Sequence, residues 1–295
     1  MKTLQKHTLK PKHPSHQPIK SSLIQSKTAL ITGASRGIGK AIALEFARQG
    51  IGRLLLVARN RDRLNTVALE VQEINPNIEV VPISVDLTNT SEVSIAMAKA
   101  WRDFGPIHLL VNNAGVAHQT SFLSSQPHQA EKELQVNLLG MYTVTRLIAR
   151  RMAAKREGTI VNVSSLMGKI AAPTFATYSA TKFAIVGFTQ ALRSELAAKN
   201  VRVVSLLPSL TDTDMVRHTE LFKWVAPTTP ERVAKALIAG LNKDENEIFV
   251  DWQSKVSAIA SGTIPWLMEK IVTLAAPESV QPPAIGKPGY DLEPA

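Results

Sequence analysis

From about residue 28 onward, apolar residues along this chain alternate between two patterns. Short runs of leucine and β-branched residues recur at TALIT (28–32), RLLLVA (53–58), IEVVPISV (78–85), IHLLVN (107–112), GTIVNVS (158–164), VRVVSLL (201–207) and EIFVD (247–251). Between them lie longer stretches with helical spacing, such as IGKAIALEFARQ (38–49) and RDRLNTVALEVQEI (61–74). A strand that is apolar on both faces must be covered on both, and a helix after each strand is the repeating unit of a parallel sheet. The pattern predicts an α/β fold: one doubly wound parallel sheet of about seven strands, with helices on both faces. Ligands in such sheets sit outside the carboxyl ends of the strands.

The flanks break the pattern. Residues 1–27 are polar, basic and Pro-interrupted, and are expected to be a solvated, disordered tail. Residues 28–251 form the expected α/β domain. Residues 252–295 read as a C-terminal extension: one amphipathic helical segment, VSAIASGTIPWLMEKIVTLAA (256–276), then a Pro-rich end. Pro265, Glu269 and Lys270 argue against a membrane span there. A helix covering a pocket or lying on a membrane surface fits better.

Composition narrows the function classes. The chain has 295 residues and no cysteine, so disulfides, thiolate zinc sites and cysteine nucleophiles are excluded. No metal site is expected. Absence of cysteine fits a reducing compartment, and the expected location is cytoplasmic. Residues 1–44 hold seven Lys, one Arg and no acid, and so carry eight of the ten net positive charges. The remainder is nearly neutral, so no nucleic-acid partner is expected. A transit peptide, or a tether to a membrane surface, stays open for the tail.

The first strand runs into GASRGIG and then a helix, placing Gly33, Gly37 and Gly39 at a βα turn. Glycine there permits a tight turn and close approach of a pyrophosphate, and the helix offers free N–H groups. The spacing differs from the commonest dinucleotide fingerprint. TGASRGIG resembles the TGxxxGxG motif of the short-chain dehydrogenase/reductase family. The resemblance continues through DLT (86–88), NNAG (112–115), Asn137 in VNLLG, NVSS (162–165) and YSATK (178–182), and spans about 28–250. It implies a Rossmann-type fold, a nicotinamide cofactor and oxidoreductase activity. By the same resemblance Ser35, Arg36 and Ile38 join the glycines at the phosphates, Asp86 and Leu87 lie by the adenine, and Asn113, Ala114 and Gly115 lie along the cofactor. On its own, an Asp after a strand is more often a helix cap, and Asp86 is expected to serve both ends.

Position 59, twenty past Gly39, decides between nicotinamides. An acid there would bind the ribose 2′-hydroxyl of NAD and repel a 2′-phosphate. The residue is Arg59, with Arg36 as a second cation in the glycine loop. Guanidinium binds phosphate with paired hydrogen bonds, so NADP(H) is expected.

Carbonyl reduction needs a hydride, a donor polarising the carbonyl oxygen, and a proton. Tyr178 and Lys182 are four apart, on one face of a helix. The lysine ammonium is expected to lower the tyrosine pKa toward the working pH. The family pattern puts the catalytic serine thirteen before the tyrosine, at Ser165, with Ser164 pointing the other way. It implies a water-holding role for Asn137 and a Tyr178/Lys182 contact with the ribose. LLPSLTDTDM (206–215) resembles the family's PGxxxTxM, with Pro208 and Thr213 matching, Thr211 a further cofactor contact, and Ser209 in place of the glycine.

The expected activity is NADPH-dependent reduction of a ketone or aldehyde, with a hydrophobic substrate such as a 3-oxoacyl or lipid-like compound. Two alternatives stay open: an NADP-dependent alcohol dehydrogenase on a steroid, retinoid or sugar alcohol, and a non-catalytic NADP-binding regulatory protein. The resemblance also implies a homodimer or homotetramer, packed through the helix carrying Tyr178 and the one before it.

Overall fold

The computed structural model of the protein describes residues 23–217 and 219–277. Seven strands form one sheet: β1 (Thr28–Thr32), β2 (Arg53–Ala58), β3 (Glu79–Ser84), β4 (Leu109–Asn112), β5 (Gly158–Val163), β6 (Val201–Leu207) and β7 (Glu247–Phe249). Their spatial order is β3-β2-β1-β4-β5-β6-β7, and every pairing is parallel. The doubly wound expectation therefore holds strand by strand. The central strands are buried on both faces, whereas β3, at one edge, is only partly covered. Pro82 sits in that edge strand, where a missing N–H leaves no inner neighbour unpaired.

Successive side chains of each strand enter opposite cores. Ile31 and Leu56 pack with Phe46 of α1 (Gly37–Arg48), Val67 of α2 (Arg61–Ile74) and Leu237 of α7 (Pro230–Asn242). Leu30 and Leu55 pack on the other face with Met97 of α3 (Thr90–Phe104) and Ile148 of α5 (Met141–Lys155). Side chains set the helix starts: Asn60, Asn89 and Thr229 each accept a backbone N–H from the first turn of α2, α3 and α7. On that second face α4 (Pro127–Glu133) runs into a π-helical turn over Leu134–Gly140 and then α5. The long α6 (Ala176–Ala197) follows β5.

Both flanks differ from expectation. Residues 23–27 belong to the fold: Ile24 is buried, Gln25 bridges to Ile51, and the Ser26 N–H donates to the Gly50 carbonyl. The rest of the expected tail, 1–22, and the Pro-rich end from 278 lie outside the described residues. The single amphipathic segment is two helices, α8 (Trp252–Thr263) and α9 (Pro265–Ala275). Pro265 can open a helix but cannot continue one, so the break falls at Ile264. The two helices are tied to different loops: in α8 the Ser261 hydroxyl donates to the Lys169 carbonyl in the loop after β5, and at the end of α9 the Ala275 carbonyl accepts the Lys223 N–H from the loop after β6. No helix among the described residues is long and apolar enough to cross a membrane.

Candidate active site

The strand order reverses between β1 and β4, so their following loops diverge and open a crevice at the carboxyl ends. The crevice, of about 280 Å³, runs from the glycine loop past β2 to Tyr178 and Lys182. Gly33 (φ +66°) and Gly37 (φ +54°) adopt conformations that favour glycine. At Gly39 the constraint is space: a Cβ would run into the Gly33 carbonyl oxygen. Arg36, in the N-cap position of α1, gives no side-chain cap, which leaves the first N–H groups directed at the crevice. Ser35, Arg36, Gly37 and Ile38 line it.

Asn113 has a more structural task than the motif implies. Its amide donates to the Thr32 and Gly33 carbonyls, while the Thr32 hydroxyl accepts the Asn113 and Ala114 N–H groups. The loop after β4 is thus riveted to the glycine turn. Beneath it, Asn112 donates to Thr145 and Asn162, and Asn162 to Thr189, a buried polar chain through β4, α5, β5 and α6.

Arg36, Arg59 and Arg63 line the β2 end of the crevice. Arg63, on the first turn of α2, is a third cation that the strand-end rule did not single out. Arg59 stands 4.0 Å from Asp86, and Arg36 3.1 Å from Asp214. Both arginines are more than half exposed, and surface pairs of this kind are worth little, so both guanidiniums stay available to a ligand. Asp86 lines the crevice beside Leu87, but it is not the helix cap: it accepts the Thr88 N–H and hydroxyl, and Asn89 caps α3.

Tyr178 lies in the first turn of α6, with Lys182 one turn on. The Lys182 ammonium is 5.5 Å from the Tyr178 ring centre and donates to the Val163 carbonyl at 3.1 Å. Ser165, just past β5, accepts the Met167 N–H and reaches the Tyr178 hydroxyl. Ser164 turns away from that oxygen and donates to the Lys182 carbonyl.

The pKa of Tyr178 moves opposite to expectation. Burial of its hydroxyl pushes it up to about 12, opposed by the Ser165 hydrogen bond and reinforced by the Glu133 carboxylate. Lys182 stands over the ring face and points to a carbonyl, so it does not offset the lost hydration. Burial alone pulls Lys182 down to about 8. The protein by itself therefore holds Tyr178 as a proton donor.

Asn137 is fully buried in the π-helical turn, a distortion common at functional sites. Its side chain accepts the Val116 N–H and donates to the Val116 carbonyl and the Thr181 hydroxyl. It pins the loop to α6 with its own amide.

Of the three residues expected from the loop after β6, only Thr213 reaches the crevice, packed against Gly37. Thr211 bridges to Thr228 and donates to the Ser209 carbonyl, and Pro208 accepts the Leu166 N–H. Both line a second, adjoining cavity. Ser209 lacks a positive φ, so it carries no glycine-type strain, and its hydroxyl donates to Asp251 at the start of α8.

The second cavity, of about 380 Å³, opens onto Ser165 and Tyr178. Met167, Phe175, Leu210, Phe222, Met268 and Val272 make much of its wall. The sequence pattern could not reveal it, because its walls come from five separated segments. Among the described residues no cluster of His, Asp and Glu could hold a metal ion.

Residues 27–223 match the family model described as short chain dehydrogenase. The chain belongs to the short-chain dehydrogenase family. Among curated short-chain dehydrogenase relatives, it is 31% identical to a 3α-hydroxysteroid dehydrogenase of Mediterraneibacter gnavus, over 74% of this chain and 82% of that one. It is also 31% identical to an NADP-dependent 3-hydroxy acid dehydrogenase of Schizosaccharomyces pombe, over 78% and 92%. A short-chain dehydrogenase of Burkholderia cenocepacia, solved with NADP, superposes with a TM-score of 0.73 at 27% identity, covering 84% of this chain and 98% of that one. The short-chain dehydrogenase motifs and the crevice thus coincide in space.

Proposed function

We propose that this protein is an NADPH-dependent carbonyl reductase for ketones or aldehydes with bulky apolar substituents. The single observation that carries the substrate class is the apolar cavity meeting the crevice at Tyr178 and Ser165. The NADP-bound structural neighbour and the three crevice arginines support the cofactor choice. The glycine cradle, which a Cβ at position 39 would fill, fits a pyrophosphate.

When bound, the nicotinamide supplies the hydride. Arg36, Arg59 and the N-terminus of α1 would hold its phosphates, and Lys182 its ribose. The remaining chemistry belongs to the chain. Ser165 donates a hydrogen bond to the carbonyl oxygen, and Tyr178 transfers its proton to the oxygen as charge develops there. A tyrosine that keeps its proton to about 12 suits the reductive direction. The walls of the cavity exclude water and favour a large apolar group. The pairing of Tyr178 with Ser165 and Lys182 favours an enzyme over a purely regulatory binder. A homo-oligomer through α5 and α6 is part of the same reading, because Tyr142 and Phe183 stand exposed there.

NADPH consumption against a panel of small and bulky ketones, aldehydes, 3-oxoacyl thioesters and keto-steroids tests this, with NADH in parallel. Turnover should favour bulky apolar carbonyls and NADPH. Silence across the panel, or preference for small polar carbonyls, overturns it.

A further inference from the structure

A folded domain rarely gathers large apolar side chains into one exposed patch. Here three of the four tryptophans stand at the surface on the loop after β6, α8 and α9: Trp224 is 81% exposed, Trp252 70% and Trp266 60%. In α8 the usual arrangement of a surface helix is reversed. Trp252, Val256 and Ile259 share one face and are exposed, whereas Ser254 is buried and Ala258 and Ser261 are half-buried on the opposite face. In α9, Leu267, Ile271 and Leu274 repeat that spacing and are exposed. The two helices pack together, and the Lys223 N–H bond to the Ala275 carbonyl joins the loop to α9. The apolar cavity reaches this surface: Leu221, Trp224, Val225 and Ile271 are exposed and also line it.

We propose that this face docks on the anionic surface of a lipid bilayer, with α8 and α9 lying in the interface and the substrate cavity opening toward the lipid. Charge is the first reason for that occupant. The helices carry Lys255 and Lys270 against Glu269, and the Asp251 carboxylate is engaged by the first turn of α8. Residues 1–22 add five lysines and no acid. Cations beside outward apolar side chains suit anionic headgroups. Residue type is the second reason. Indole rings favour the boundary between headgroups and chains, and the Lys270 ammonium stands 5.6 Å from the Trp266 ring centre. The cavity is the third. A protein partner over this face would stop the cavity where Leu221 and Ile271 line it, whereas a bilayer leaves it open to solutes dissolved in the lipid. The contact is a surface one, since no helix among the described residues is long and apolar enough to span. Docking is independent of the carbonyl-reductase reading; delivery of an apolar carbonyl from the lipid rests on it.

Co-sedimentation of the full chain with vesicles tests this, because binding is read without turnover. The wild type should bind vesicles of phosphatidylcholine mixed with phosphatidylglycerol. Binding should weaken as salt is raised, and should be weaker on phosphatidylcholine alone. Trp252→Ser with Ile259→Ser strips the outer face of α8 without touching the cavity wall. Affinity should then fall about 10-fold or more on both kinds of vesicle. If that variant does not fold, Val256→Ser tests the same face, with an expected loss of about 5-fold. Lys255→Gln should lower affinity about 5-fold on the mixed vesicles and leave phosphatidylcholine binding unchanged. Wild-type protein that binds neither vesicle overturns the proposal. So do α8 variants that bind as the wild type does, which would leave the contact to the basic tail. Light scattering without lipid is the other arm: a dimer that the α8 variant dissolves gives the face to a second copy and overturns docking on lipid. Vesicle binding by a protein that reduces no carbonyl on the panel would remove the functional reading and leave this one standing.

Discussion

On the cofactor side of the crevice, Gly33, Gly37, Gly39 and Arg59 lie within one βαβ unit, and strand and helix geometry dictates their places. On the substrate side, Met167, Phe222 and Met268 come from three distant segments and meet only through tertiary packing. The first side binds a large anionic ligand with backbone amides and arginines, a task that any member of a fold can share. The second side presents an apolar wall whose shape depends on how those segments pack. Tyr178, Ser165 and Lys182 stand where the two meet, and the strongest test of the comparison lies there. Tyr178→Phe should lower kcat by about 10²–10⁴-fold while NADPH affinity, measured by fluorescence titration, stays within a factor of a few. A matching loss of NADPH binding would mean the tyrosine belongs to the cofactor side alone.

Lys182 shows what this junction costs. Its ammonium is buried with a carbonyl as its hydrogen-bond acceptor, and burial holds its pKa at about 8 rather than 10.5. Between those values the unfolded chain keeps a proton that the native protein has lost, so this group makes stability rise with pH across that window. The difference amounts to about 3 kcal/mol. Lys182→Met should therefore abolish turnover yet raise stability to urea by up to about 3 kcal/mol below pH 8, less whatever the Val163 bond contributes, with the gain vanishing toward pH 10.5. A destabilised variant at neutral pH would show that the ammonium is better solvated than its burial indicates.

The cofactor side can be sharpened with one change. Arg59→Asp should lower kcat/KM for NADPH about 10–100-fold, raise that for NADH, and leave KM for the carbonyl unmoved. Equal use of both cofactors by the unmodified protein would remove the role given to Arg59.

The same division explains what the sequence made legible. Strand positions were readable because fully buried parallel strands are apolar throughout, and the glycines because backbone conformation and close approach leave few other residues admissible. Arg59 was readable because the end of β2 is a fixed distance from the glycine turn. Ser209 shows the limit: a motif glycine implied a conformational demand, but the backbone there makes none, and the serine instead ties the loop to Asp251. The Tyr178 pKa shows another. Spacing placed a lysine near it, but not the direction of the ammonium, the depth of the hydroxyl, or the Glu133 carboxylate brought in from α4. Desolvation and long-range charge are properties of the packed molecule, not of a four-residue interval.

The smallest effect should come from the substrate side, and it is the one that separates shape from chemistry. Phe222 lies 6.4 Å from Phe175, which stands 6.0 Å edge-on to Tyr178, ring centre to ring centre, so an aromatic row runs from the loop after β6 to the Tyr178 ring. Phe222 also lines the apolar cavity, and it touches none of the cofactor crevice. Phe222→Ala enlarges the cavity without altering a hydrogen bond at the reacting oxygen. For a bulky ketone, KM should rise roughly 10-fold, as expected from lost apolar contact, while kcat and NADPH affinity change little. A smaller ketone that never reached Phe222 should show no change. If instead kcat falls equally for both ketones, the row supports Tyr178 directly, and the boundary between the two sides must be moved outward to the loop itself.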